Sequence, residues 1–131
     1  MYFCLWTSGK RLNGKKEEFW RFLEEDAIRS HREGKGFILQ GDLNALLGNT
    51  IIKNNPRNQN QNGKLMEEFL ERNELTVVNS LSICKGLITK SRNCKGTLDK
   101  SILDFFVVCK RVLALVKSME IDEEKKNVAT N

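Results

Sequence analysis

Two stretches of helical periodicity, each running into a short apolar segment, set the limits on what this chain can fold into. In Lys16–Arg32, Phe19, Trp20, Leu23, Ala27 and Ile28 recur at three- and four-residue steps, while Glu17, Glu18, Glu24, Glu25 and Asp26 stay on or near the wet side. Gly34 and Gly36 supply the stop. Phe37–Gln40 follows, too short for a helix and apolar until its last residue, the mark of a strand buried on both faces. The pattern then repeats. Gly63–Asn73 is a second amphipathic helix with Leu65, Met66, Phe69 and Leu70 inward, and Leu75–Asn79 is the strand after it. Further strands are predicted over Met1–Trp6, Gly86–Thr89 and Ser101–Cys109, with loops over Thr7–Lys15, Gly48–Asn62 and Arg92–Lys100. Val112–Met119 reads as a short helix or a strand, and the charged segment from Glu120 as a loose tail. Alternating strands and helices predict an α/β fold, and 131 residues without an internal repeat predict one domain over 1–131.

Composition narrows the class. With 40% hydrophobic and 30% charged residues and a single Pro, the chain is neither collagen-like nor disordered, and its length buries enough surface for a core without disulfides. The apolar run Ser101–Cys109 is far short of the ~20 residues that span a bilayer. Met1–Trp6 has no basic lead and no small-residue cleavage site, so the expectation is an intracellular protein, nuclear or cytoplasmic, without a membrane partner. Cys4, Cys84, Cys94 and Cys109 form no CxxC pair, and His31 is not spaced with any of them as a zinc site requires. They read as free thiols of a reducing compartment. The net charge is +5, and residues 85–117 carry eight basic residues against two acidic ones. A one-sided basic stretch suits a polyanion such as nucleic acid; a solvated Lys-rich face fits the same count.

Two places carry polar residues against the local pattern. Gly41-Asp42-Leu43-Asn44-Ala45 leaves the carboxyl end of the apolar strand, where α/β sheets bind ligands. In extended backbone Asp42 and Asn44 project to the same side, one able to accept a proton or hold a metal, the other to donate to a phosphate oxygen. Equally, Asp42 can cap a turn while Asn44 takes a left-handed conformation. The second place is Asp104, a carboxylate within Ser101-Ile-Leu-Asp-Phe-Phe. It must be paired, hydrogen-bonded, or turned to water on an edge strand.

Gly-Asp-Leu-Asn-Ala, followed some sixty residues later by Ser-Ile-Leu-Asp-Phe-Phe, resembles the endonuclease/exonuclease/phosphatase superfamily with its G-D-x-N and S-x-x-D-Y/F motifs. Gly36–Ala45, Gly63–Leu70 and Leu75–Asn79 are similar in particular to the endonuclease domain of non-LTR retrotransposons. The resemblance implies a partial sandwich of β-sheet layers flanked by helices, and Mg²⁺-dependent phosphodiester cleavage. On that resemblance Asp42 activates the attacking water and, with Asn44, lies at the metal. Asn44 contacts the scissile phosphate, Asp104 orients a catalytic histidine, Tyr2 touches phosphate, and Ser101 supports the strand start beside the site. The resemblance also implies an opening strand bearing an Asn, a metal-binding Glu, and a closing S/T-D-H motif, none of which has a match here, and His31 does not stand in for the last. The sequence therefore reads as a central portion of such a domain, weak or inactive by itself, with DNA the expected partner of the 85–117 stretch. Binding without cutting, a structural remnant of a retroelement, and self-association through an exposed sheet are the competing expectations.

Overall fold

A computed structural model describes residues 3–8 and 16–123. Its centre is a four-stranded sheet in the order β1 (Phe3–Ser8), β2 (Gly36–Asp42), β7 (Asp104–Val108), β3 (Thr76–Val77). β1 and β2 are parallel and joined across one face by α1 (Lys16–Arg32); β7 is antiparallel to both β2 and β3. α2 (Gln61–Arg72) packs beside α1. Phe37, Leu39, Phe105, Val107 and Val77 meet Trp20, Leu23, Ala27, Met66, Phe69 and Leu70 in one buried core. The Trp20 and Phe37 rings lie 5.4 Å and 6.4 Å from that of Phe69. Burying these large side chains, at about 1.5–3 kcal/mol each, is what holds the helices on the sheet.

The predicted first helix has the observed bounds, although Ile28 faces water. α2 begins two residues before the prediction, because Asn60 caps it by accepting the Gly63 N–H at 2.7 Å. Its first turn lies hard against the strand-to-loop segment. A Cβ on Gly63 would stand 1.8 Å from the Leu46 carbonyl oxygen, so only glycine fits there.

β2 is not buried on both faces. Phe37 and Leu39 face the helices, while Ile38 is half-buried and Gln40 exposed on the other side. Among the described residues that second face is covered at one end, where Ile38 and Val108 meet Ile83, Val112, Leu113, Val116 and Met119.

Two further departures from the sequence reading, at Leu75–Asn79 and Gly86–Thr89, share a cause, side chains that take over backbone partners. β3 spans only Thr76–Val77 before a 3₁₀ turn at Val78–Ser80. There the Asn79 side chain replaces a strand, donating to the Asp104 carbonyl at 3.0 Å and accepting the Phe106 N–H at 2.9 Å. Gly86–Thr89 is not a strand; β4 is Cys84–Lys85, paired with β8 (Met119–Glu120). The Leu87 and Ile88 N–H groups go to the Glu123 carboxylate. These bonds favour the ionised form and hold the Glu123 carboxyl below its ordinary value. Beyond Glu120, expected as a loose tail, Glu123 is thus anchored; residues 124–131 lie outside the described part.

Arg92–Lys100 is not a loop. β5 (Lys90–Cys94) and β6 (Thr97–Ser101) form a hairpin through a two-residue turn at Lys95–Gly96, both at positive φ. The hairpin is polar on both faces, so it shows no apolar alternation. The Ser101–Cys109 strand is accordingly broken. Ile102 and Leu103 turn between β6 and β7, and the buried Thr89 hydroxyl accepts the Leu103 and Asp104 N–H groups at 2.8 Å and 3.1 Å. Of the Val112–Met119 alternatives, the helix is the nearer: α3 covers Lys110–Leu113.

Candidate phosphate-handling site

The site is built where β2 ends. Asp42 closes a turn, its Oδ1 accepting the Asn44 N–H at 2.8 Å, and Asn44 is left-handed with φ of 53°. The extended arrangement, with both side chains projecting from a strand, does not occur; the turn reading of these two residues does. A small polar network grips this loop from beneath. The Asn62 side-chain amide, buried, donates 3.0 Å bonds to the Leu43 and Asn44 carbonyls and accepts the indole N–H of Trp20 at 2.6 Å. Asn60 accepts the Leu46 N–H at 3.0 Å. The loop position is therefore set by the core, through Trp20.

β7 brings Asp104 to the same place. Asp42 and Asp104 are direct cross-strand partners in the β2–β7 ladder, although sixty-two positions separate them in sequence. Directly opposed residues point to one face, here the face that also carries Gln40 and Phe106. Both carboxylates are exposed. The Asp104 backbone is fixed on both sides, its N–H by Thr89 and its carbonyl by Asn79. Two carboxylates directly opposed repel one another, so this strand end favours a cation or a hydrogen-bond donor between them.

Two clefts flank the pair. One, of about 410 Å³, runs over the sheet face opposite the helices and is lined by Gln40, Thr89, Asp104, Phe106, Met119 and Ile121. The other, of about 290 Å³, lies between the loop after β2 and the hairpin, and holds Asn44, Asn60, Arg57, Lys90, Arg92, Asp99 and Ser101. Arg57 reaches it from the long polar loop, which is not merely surface: Ile52 is buried, and Asn55 ties Gly48 to Arg57 through its side chain.

The structure thus brings together Asp42, Asn44 and Asp104, and puts Ser101 beside Asn44 in the basic cleft. Tyr2 lies outside the described residues. The basic stretch 85–117 does not form one face. Lys90 and Arg92 enter the cleft, whereas Lys110 and Arg111 are at the opposite end of the sheet, near Glu74 and the Gly34 carbonyl. His31 is at that far end too, with Phe37 and Cys109 around it. Asn62, Thr89 and Asn79 were missed by the sequence reading, as was Arg57. Only Asn60 and Asn62 left a trace, as cap-forming residues before an apolar helix.

Among the described residues no three His, Cys, Asp or Glu side chains gather as a metal site. Mg²⁺, however, is commonly held by one or two carboxylates with waters and substrate phosphates. Asp42 and Asp104 meet that smaller requirement.

No family model and no curated protein match the chain. Among solved structures it is similar to the endonuclease domain of TRAS1, a telomere-specific non-LTR retrotransposon, at 16% identity and a TM-score of 0.53. The match covers 78% of this chain and 44% of that one, so the chain spans less than half of that domain. The likeness establishes the fold, a partial endonuclease-type α/β architecture, in agreement with the sequence resemblance. No helix among the described residues is long and apolar enough to cross a membrane.

Proposed function

We propose that the chain is a nucleic-acid-binding portion of a metal-dependent phosphodiesterase of the retrotransposon endonuclease kind, with DNA as its partner. One observation carries the reading: two motifs far apart in sequence meet as the Asp42–Asp104 pair, and a basic cleft is lined by their near neighbours Asn44 and Leu103. The backbone of a nucleic acid would lie along Arg57, Lys90 and Arg92, whose charges neutralise phosphates. Asn44 would donate its side-chain amide to a phosphate oxygen at the mouth of the cleft. Asp42, and Asp104 opposite it, would hold Mg²⁺. When bound, the ion would lower the pKa of a water and balance charge on the phosphate. Asp42 would orient that water, being fixed by its bond to the Asn44 N–H.

Binding with little cutting is the second reading, and the placement of His31 favours it. The single imidazole in the sequence is at the opposite end of the sheet from Asp104. Without an imidazole at the pair, proton transfer loses a contribution typically worth 10²–10⁴-fold. A plasmid-nicking assay separates the two. Slow Mg²⁺-dependent nicking, abolished by EDTA and by Asp42→Ala, supports the catalytic reading. Retarded plasmid that stays supercoiled supports binding alone. Neither retardation nor nicking refutes both.

A further inference from the structure

The basic cleft holds one carboxylate, and its position is informative. Asp99 lies on β6 directly across from Arg92 on β5, two positions along the hairpin from the Lys90–Ser101 pair that shares its face. Its two oxygens take the Arg57 guanidinium at 3.0 Å and 3.3 Å, so the long loop and the hairpin are joined by this contact across forty-two positions. Both side chains are about half exposed, at 43% and 49%. Ion pairs so placed contribute little to stability and exchange readily. Arg57 itself is held by its backbone N–H on the buried Asn55, so the guanidinium can swing while its base stays fixed.

We propose that Asp99 competes with nucleic-acid phosphate for Arg57, and so sets the cleft to accept a phosphodiester backbone rather than a lone phosphate. This deepens the function proposed above and rests on it. In the free protein Asp99 occupies Arg57 and cancels one of three cationic charges. A single phosphate must displace the carboxylate with little compensation. A backbone engages Lys90 and Arg92 at the same time, and gives Arg57 a two-oxygen acceptor in place of Asp99. The released carboxylate turns to water, which its exposure allows. Arg57 is then the residue that changes partner on binding, and Asp99 the one that determines how many phosphates must bind together.

The test is binding of a fluorescein-labelled duplex oligonucleotide across a salt series, with inorganic phosphate as competitor, on wild type, Asp99→Asn, Arg57→Gln, the double variant and Lys90→Gln/Arg92→Gln. An unchanged unfolding midpoint for Asp99→Asn confirms that the fold is retained. The proposal expects Asp99→Asn to bind duplex about two- to fivefold tighter, the range of an exposed ion pair. The salt slope should stay as in wild type, because Arg57 meets phosphate in both complexes and only its partner in the free protein differs. Inorganic phosphate should compete better against this variant than against wild type. In the double variant the gain should vanish. Unchanged or weaker binding by Asp99→Asn, while Arg57→Gln and Lys90→Gln/Arg92→Gln weaken it, overturns the competition and leaves the binding reading standing. A gain that persists in the double variant overturns the role of Arg57. Wild-type affinity in Lys90→Gln/Arg92→Gln overturns the cleft as a nucleic-acid site, and with it both proposals.

Discussion

Gly63→Ala is the sharpest perturbation the fold offers, because two effects of opposite sign meet at one methyl group. In an exposed helix the change stabilises by about 1 kcal/mol through helix propensity. Here the new Cβ falls 1.8 Å from the Leu46 carbonyl oxygen and 2.6 Å from its carbon, where real contacts essentially never come under 3.0 Å. The first turn of α2 must retreat by the difference, about 1.2 Å. That movement pulls on the bonds between Asn60 and Leu46 and on those from Asn62 to Leu43 and Asn44. Overpacking costs about 1–3 kcal/mol, and stretching these four hydrogen bonds without breaking them, at about 0.5 kcal/mol each, about 2 kcal/mol more in all. After the propensity gain, the net loss is about 2–4 kcal/mol, a large part of a typical 5–15 kcal/mol stability. For a chain of this size each kcal/mol shifts the unfolding midpoint by roughly 3–5 °C, so a fall of about 10 °C is expected. Thermal unfolding followed by circular dichroism reads it, with Lys64→Ala, the exposed neighbour, as a control that should stay within about 0.5 kcal/mol. A Gly63→Ala variant as stable as wild type, or more so, would refute the close approach of helix and loop.

Two further outcomes follow from the carboxylates. Glu123 has its folded pKa below the ordinary value, so the anchorage it gives is complete above about pH 4.3 and is lost as pH falls through the lower folded value. The Leu87 and Ile88 amide resonances should shift together with a midpoint below 4.3, and Glu123→Gln should abolish that shift. Asp104→Asn removes a like charge directly opposite Asp42 and should leave stability unchanged or raise it by up to about 1 kcal/mol. A urea midpoint that drops by the equivalent of 2 kcal/mol would mean that the carboxylate has a structural partner.

The parts of the fold legible in the sequence are those whose stability comes from apolar burial. α1 has its predicted bounds because Trp20, Leu23 and Ala27 mark one face by themselves, and β2 is announced by Phe37 and Leu39. The Asp42 and Asp104 motifs were recognisable, but it was their resemblance to a known family, not the residues around them, that put the two at one site. What could not be read is structure made by single polar side chains acting at long range. Nothing near Asn79 says that it stands in for a strand beside β7, and nothing near Thr89 says that it receives two N–H groups from residues fourteen and fifteen positions on. The β5–β6 hairpin escaped for a related reason. Its pairing relies on the backbone and a two-residue turn, and its side chains are nearly all polar.

The pairing of β2 with β7 also governs when the site comes into being. The chain between them, residues 43–103, contains α2, the long loop and the hairpin, and all of it must be gathered before the ladder can close. Closing a loop that long is entropically unfavourable and is repaid only afterwards, so contacts of this sequence separation belong to the slow part of folding, on the order of milliseconds to seconds. During synthesis, at about 5–20 residues per second, β2 is made about 3–12 s before β7. Throughout that interval Phe37 and Leu39 lack the strand that completes the sheet, and Asp42 lacks the residue that faces it across the ladder. The acidic pair requires that ladder, so its assembly reports that residues 43–103 have been gathered.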